Sequence, residues 1–128
     1  MAFDPGAVGR AFSEHRFDDA LGHLAKDVKW TIVGYMVLEG ADAVRQTCRD
    51  TLESLEGTRM EFDRCVTAAG GDVVAVDTVA RYVRADGMTA VASCAIYEFA
   101  DDKITAITSY AVEIDPHDPG AQPPPRGR

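Results

Sequence analysis

With 128 residues, 46% of them hydrophobic, the chain has the length and apolar content of one domain with a filled core. A formal charge of -8 and an isoelectric point near 4.7 oppose binding to nucleic acid or an anionic membrane, both of which need a clustered basic surface. The longest apolar runs, such as Val73–Val76, fall far short of the roughly 20 residues that span a bilayer, and Met1-Ala2-Phe3-Asp4-Pro5 lacks a basic stretch followed by an apolar one, so the expected compartment is the cytoplasm.

In chain order, Asp4 caps a first helix with Pro5 at its first position, and Val8, Ala11, Phe12 and His15 recur at helical spacing. A short second helix is expected from the stripe Phe17, Leu21 and Leu24, with Asp18 and Asp19 at its start and Lys26 near its end. Val28–Val33 alternates and is rich in β-branched residues, which predicts a strand ended by Gly34. Gly34-Tyr-Met-Val-Leu38 reads as a mobile lip, since Gly34 permits a turn and Met36 is adaptable. A third helix begins near Gly40-Ala-Asp42, carries Ala43, Val44, Thr47, Cys48, Thr51, Leu52 and Leu55 on a broad apolar stripe, and stops at Gly57.

From Thr58 the period changes from 3.6 to 2, predicting strands over 58–68, 72–84, 88–99 and 103–114. Gly70-Gly71, Asp86-Gly87 and Asp101-Asp102 are hairpin turns, so these strands pair antiparallel with their sequence neighbours. The proline-rich end, residues 115–128, is expected to be a disordered tail after a single domain over 1–114. Strands 72–84 and 103–114 are apolar on both faces, with Val73, Val79 and Val83 on one side of the former and Val74, Val76 and Tyr82 on the other. Helices over one face and a second subunit over the other explain this pattern, so a homodimer is expected.

The fold class that follows is α+β, a curved mixed or antiparallel sheet with about three N-terminal helices packed on its concave face. Three cysteines, Cys48, Cys65 and Cys94, form no CxxC pair and read as reduced, buried thiols. Three histidines, His15, His23 and His117, without HxH or HxxxH spacing argue against a metal site, and no phosphate loop, nucleophile elbow or dinucleotide fingerprint is present, so no cofactor is expected.

The run Phe17-Asp-Asp-Ala-Leu-Gly-His-Leu-Ala-Lys-Asp-Val-Lys-Trp30, then Leu38-Glu-Gly40 before a helix, and Tyr97-Glu-Phe-Ala-Asp-Asp-Lys-Ile-Thr105 in the closing hairpin resemble the nuclear transport factor 2-like superfamily over about residues 7–114. Within it the chain is similar to the SnoaL-like polyketide cyclases, ketosteroid isomerases and limonene epoxide hydrolases. The resemblance implies a cone with a deep apolar pocket and dimerisation through the outer sheet face. It places Trp30, Ile32, Asp77, Val79, Arg81, Val83, Ser93, Ala95, Tyr97, Phe99, Ile107, Ser109, Ala111 and Glu113 toward the pocket.

Residue by residue, the isomerase catalytic groups do not carry over. Ile32 stands where the general base is expected, Ala95 where a protonated aspartate donates to the oxyanion, and Val8 where a helix tyrosine belongs. The epoxide hydrolase triad falls near Val79, Arg81 and Ser109, and its water-orienting pair near Trp30 and Ile32.

The polar candidates that remain are Asp77, Arg81, Ser109 and His15. Asp77 and Arg81, four apart on one strand, project to the same face; beside Tyr97 and Ser109 they give a pocket one polar end, with Arg81 fixing an oxygen-rich group and Asp77 accepting a proton. The competing reading places them in water at strand ends, or in ion pairs across the sheet. His15 extends the first helix stripe toward the pocket mouth, where its ordinary pKa suits proton transfer; a solvated helix end is the other reading. Trp30, Ile32, Tyr35, Val79, Ala95, Tyr97, Phe99 and Ile107 are the expected ligand contacts. The sequence thus leads to two functions. One is a cofactor-free isomerase, cyclase or hydrolase acting on a small apolar, oxygenated molecule, and the other is a non-catalytic binding or scaffold protein with the same pocket.

Overall fold

The computed structural model describes residues 3–117, and most of the expected tail, residues 118–128, lies outside them. Helix α1 spans Pro5–Ser13 and starts as its sequence dictates: Asp4 Oδ1 accepts from the Ala7 amide at 3.1 Å, with Pro5 in the first turn. Its buried side, Val8, Gly9, Ala11 and Phe12, lies across the sheet. Gly9 is closely packed there: a Cβ would stand 3.1 Å from Tyr97 Cδ1 and 3.2 Å from Val74 Cγ1, and both side chains would have to give by a few tenths of an ångström.

The predicted second helix is instead two 3₁₀ turns, Phe17–Asp19 and Leu21–His23. Eight residues separate the left-handed His15 (φ 62°) from the start of strand β1 at Leu24, and they divide at Ala20 into two tight turns, the second containing Gly22, a poor helix former. Strand β1, Leu24–Ile32, therefore begins earlier than its alternating segment suggests. The segment read as a mobile lip is the turn and edge strand β2, Met36–Glu39, paired antiparallel with β1. Helix α2, Ala41–Ser54, buries Ala41, Val44 and Cys48 against β1 and β2.

The predicted meander is present as β3 (Arg59–Gly70), β4 (Val73–Arg84), β5 (Gly87–Ala100) and β6 (Lys103–Ile114). Sheet order is β2-β1-β6-β5-β4-β3, antiparallel throughout except where β1 runs parallel to β6. The result is a six-stranded mixed sheet in an α+β fold, as expected, and the sheet is not closed. Both helices and the 3₁₀ turns pack on one face, where Phe12, Phe17, Val28, Val44, Val74, Val76, Tyr97, Ile104 and Ile107 form the core. No helix among the described residues is long and apolar enough to cross a membrane.

One expectation about facing is corrected. Opposite residues in an antiparallel pair share a face, and Ala95 pairs with Val76, Ser93 with Thr78 and Tyr97 with Val74. The helix-covered face of β4 is therefore Val74, Val76, Thr78, Ala80 and Tyr82, whereas Asp77, Val79, Arg81 and Val83 project to the other side. A one-residue shift in carrying positions over from the resemblance inverts every side chain of a strand.

Candidate functional site

Between the end of α1, one turn of α2 and the inner face of the sheet lies a recess of about 190 Å³. Phe12 and Ser13 reach it from α1, His15 and Phe17 from the following turn, Trp30 from β1 and Thr51 from α2. Tyr82 of β4, Val91, Ser93, Ala95 and Tyr97 of β5, and Ile107, Ser109, Tyr110 and Ala111 of β6 complete the wall. A larger open cleft of about 480 Å³ at the start of α2 is lined by Lys26, Glu39, Asp42 and Arg45, whose charges balance. It holds no aromatic side chain, whereas the smaller recess combines aromatic walls, convergent hydroxyls and a histidine, the features of a small-molecule site.

The aromatic floor is ordered by edge-to-face contacts: the Phe12 ring centroid lies 5.1 Å from Trp30, 5.2 Å from Phe17 and 5.7 Å from Tyr97. Three hydrogen bonds fix polar groups on this apolar frame. Trp30 Nε1 donates to Ser109 Oγ at 2.9 Å, Tyr97 Oη meets Ser13 Oγ at 2.6 Å, and Thr78 Oγ1 meets Ser93 Oγ at 2.8 Å. Burial raises the pKa values of the Tyr82 and Tyr97 phenols above the ordinary range and keeps both protonated as hydrogen-bonding groups at neutral pH.

His15 packs against Phe17 with ring centroids 5.2 Å apart, and burial holds its pKa below the ordinary histidine value. Its Nδ1 lies 3.2 Å from Met60 Sδ. A thioether only accepts, so the Nδ1–H tautomer satisfies that contact and leaves Nε2 as the basic nitrogen. None of the recess-lining residues is Asp, Glu, Lys or Arg. Among the described residues, no group of three His, Cys, Asp or Glu side chains is arranged to hold a metal ion.

Of the residues singled out from sequence, the recess brings together His15, Trp30, Ala95, Tyr97, Ile107 and Ser109. Asp77 and Arg81 are not with them, because they occupy the opposite sheet face. There Arg64 Nε donates to Asp77 at 2.8 Å, while Arg81 holds Asp63 at 2.8 Å and Glu61 at 3.4 Å. Val79 shares that outer face. Tyr35 is 76% exposed in the β1–β2 turn, Ile32 lies beyond the recess wall, and Phe99 packs on Phe3 at 5.8 Å. Sequence reading missed Ser13, Thr51 and Tyr82 as lining groups. The β4–β5 hairpin held the signal for Tyr82, since its two-residue loop, Ala85-Asp86, puts odd-numbered residues of one strand opposite even-numbered residues of the other.

The comparisons with known proteins agree with this architecture. No curated protein is detectably similar in sequence. In structure, an NTF2-like protein of unknown function from Cytophaga hutchinsonii superposes with a TM-score of 0.71 at 25% identity, covering 83% of this chain and 94% of that one. A candidate polyketide cyclase from Xanthomonas campestris has a TM-score of 0.64 at 21% identity, over 81% of this chain and 84% of the other. An LEH-like epoxide hydrolase of M. tuberculosis gives 0.56 at 20% identity, over 83% and 77%. The model of the SnoaL-like domain matches residues 7–107, and with that span inside the helix-covered sheet just described, the chain belongs to the SnoaL-like family on the NTF2-like fold.

Proposed function

We propose that the chain is a SnoaL-like small-molecule enzyme, an isomerase, cyclase or hydrolase, that works without a cofactor on a small apolar, oxygenated substrate held in the recess. The observation that carries this reading is His15, a histidine with its pKa lowered by burial, on the wall of an aromatic recess with several fixed hydroxyls. Being neutral at pH 7, His15 accepts a proton from a bound substrate and returns it after rearrangement, and hydroxyls such as Ser109 and Ser13 stabilise charge on the substrate oxygen. Size narrows the substrate. At about 190 Å³ the recess lies below the roughly 300–1,000 Å³ of pockets for drug-sized ligands, which favours a small substrate.

The absence of any carboxylate from the wall favours a second reading, a non-catalytic receptor that uses the same recess. Incubating the protein with a monocyclic epoxide, a monocyclic ketone and a β-diketone, with products followed by gas chromatography and mass spectrometry, separates the two. Turnover that His15→Gln abolishes supports the enzyme. Tight binding with no turnover of any compound supports the receptor.

The outer sheet face is proposed as a homodimer interface. Val66, Tyr110 and Val112 are 46%, 49% and 59% exposed on a surface that no helix covers, and Cys94 sits opposite Tyr110 near its centre. A cytoplasmic setting accords with free thiols at Cys48, Cys65 and Cys94.

A further inference from the structure

We infer that Trp30 and Ser109 form a unit that recognises an acceptor oxygen, so that the ligand of the recess is an uncharged compound carrying a carbonyl group. This rests on the reading of the recess as a small-molecule site and narrows it to a chemical class. Ser109 is held from both sides, its strand paired with Ile32 of β1 and Ala95 of β5, and its carbonyl accepts from the Val33 amide at 2.9 Å. Its side chain therefore occupies a fixed point on the wall.

The direction of the Trp30–Ser109 hydrogen bond carries the inference. Indole Nε1–H is only a donor, so at 2.9 Å it takes up a lone pair of Ser109 Oγ and turns the hydroxyl proton away from itself. Ser109 makes no other side-chain hydrogen bond among the described residues, so that proton is presented to the recess without a protein acceptor. Ser109 is half-buried, so a ligand that displaces water from this hydroxyl must bring an acceptor in its place, because a donor left unmatched beneath the ligand costs more than the matched bond gains. A carbonyl oxygen answers it and introduces no new donor to satisfy. Charge is selected against by the same wall: none of the lining residues is Asp, Glu, Lys or Arg, so a carboxylate or ammonium ligand would be desolvated without a counter-ion. Trp30 is thus a positioning residue that acts through Ser109.

The test uses one carbon skeleton with and without the acceptor. Dissociation constants for menthone and p-menthane are measured by headspace gas chromatography on the full chain, on Ser109→Ala and on Trp30→Phe. In Ser109→Ala the affinity for menthone relative to p-menthane falls about fivefold, which corresponds to about 1 kcal/mol for one hydrogen bond. Trp30→Phe lowers the same ratio, whereas a purely packing role for Trp30 weakens both ligands together and leaves the ratio unmoved. Retained p-menthane binding shows that each variant is folded. If both compounds bind the wild type and neither substitution changes the ratio, the carbonyl inference is overturned while the recess remains a ligand site. If neither compound binds the wild type, the small-molecule reading fails, and this inference fails with it. Binding of cyclohexanecarboxylate as tight as that of menthone would also overturn it.

Discussion

Deleting either member of the Ser13–Tyr97 hydrogen bond should cost the fold unequal amounts, because the two side chains are unequally buried. Tyr97 is 1% exposed, and Ser13 Oγ meets its phenolic oxygen at 2.6 Å. Ser13→Ala strips the partner from an enclosed phenol, and an enclosed polar group left unmatched costs about 1–3 kcal/mol. Tyr97→Phe removes the phenol itself. Ser13, half-buried at the recess, then turns to water, so only the net hydrogen bond of about 0.5–1.5 kcal/mol is lost. In the double variant no group is orphaned, and its cost approaches that of Tyr97→Phe alone, a coupling of about 1 kcal/mol or more. Urea unfolding of the four proteins at one pH, with m-values held equal, measures all three differences. Strict additivity, or a larger cost for Tyr97→Phe than for Ser13→Ala, would refute the assignment of the enclosed phenol as the controlling group.

Gly9→Ala gains about 1 kcal/mol of helix propensity but forces a Cβ to within 3.1 Å of Tyr97 and 3.2 Å of Val74, and overpacking of about 1–3 kcal/mol wins, so thermal unfolding shifts downward. His15 has a folded pKa below the 6.5 of the unfolded chain, so the unfolded state binds the extra proton; stability is complete above about pH 6.5 and is lost as pH falls toward the folded value. Chemical denaturation in steps from pH 7.5 to pH 5 should show a slope that His15→Gln flattens. If the outer sheet face is the proposed homodimer interface, Val112→Glu, which places a charge on it, halves the mass seen by light scattering without altering ligand binding in the recess. Asp77→Asn and Arg81→Gln remove charges from that same outer face, and recess affinity measured by headspace chromatography should not change for either.

Most of the fold could be read from the sequence because its signals are local. Asp4-Pro5 starts a helix through a backbone amide that the carboxylate satisfies, and the hairpin signals near Gly70-Gly71, Asp86-Gly87 and Asp101-Asp102 set the four long strands; the two-residue loops are Gly71-Asp72, Ala85-Asp86 and Asp101-Asp102, so the first two are displaced by one residue from the expected dipeptides, and Asp101 and Asp102 are both left-handed. What was not legible depends on the sheet as a whole. Strand β2 is four residues long, and it exists because β1 supplies its partner at Trp30↔Leu38 and Ile32↔Met36. The turns over Phe17–His23 keep a helical apolar spacing, yet they cannot extend because β1 begins at Leu24 to pair with Ile104. At the site, Trp30, Ala95, Tyr97, Ile107 and Ser109 were legible on strands whose facing was read in the right phase. On β4 both phases are apolar enough to be core, Val74 and Val76 against Val73 and Val79, so periodicity could not choose between them and the hairpin parity had to. Thr51 and Ser13 approach the recess from helices, and nothing in their spacing reports which sheet residue they meet.

Trp30 is the single tryptophan of the chain and lines the recess, so its indole Nε1–H resonance is a direct reporter of the central claim that this recess binds a small molecule. Titrating ¹⁵N-labelled protein with menthone should move that resonance along a saturable, one-site curve, with Ser13, Ser93 and Ser109 amides following it. An indole resonance that stays fixed while amides elsewhere shift, or while nothing shifts at all, would contradict the account.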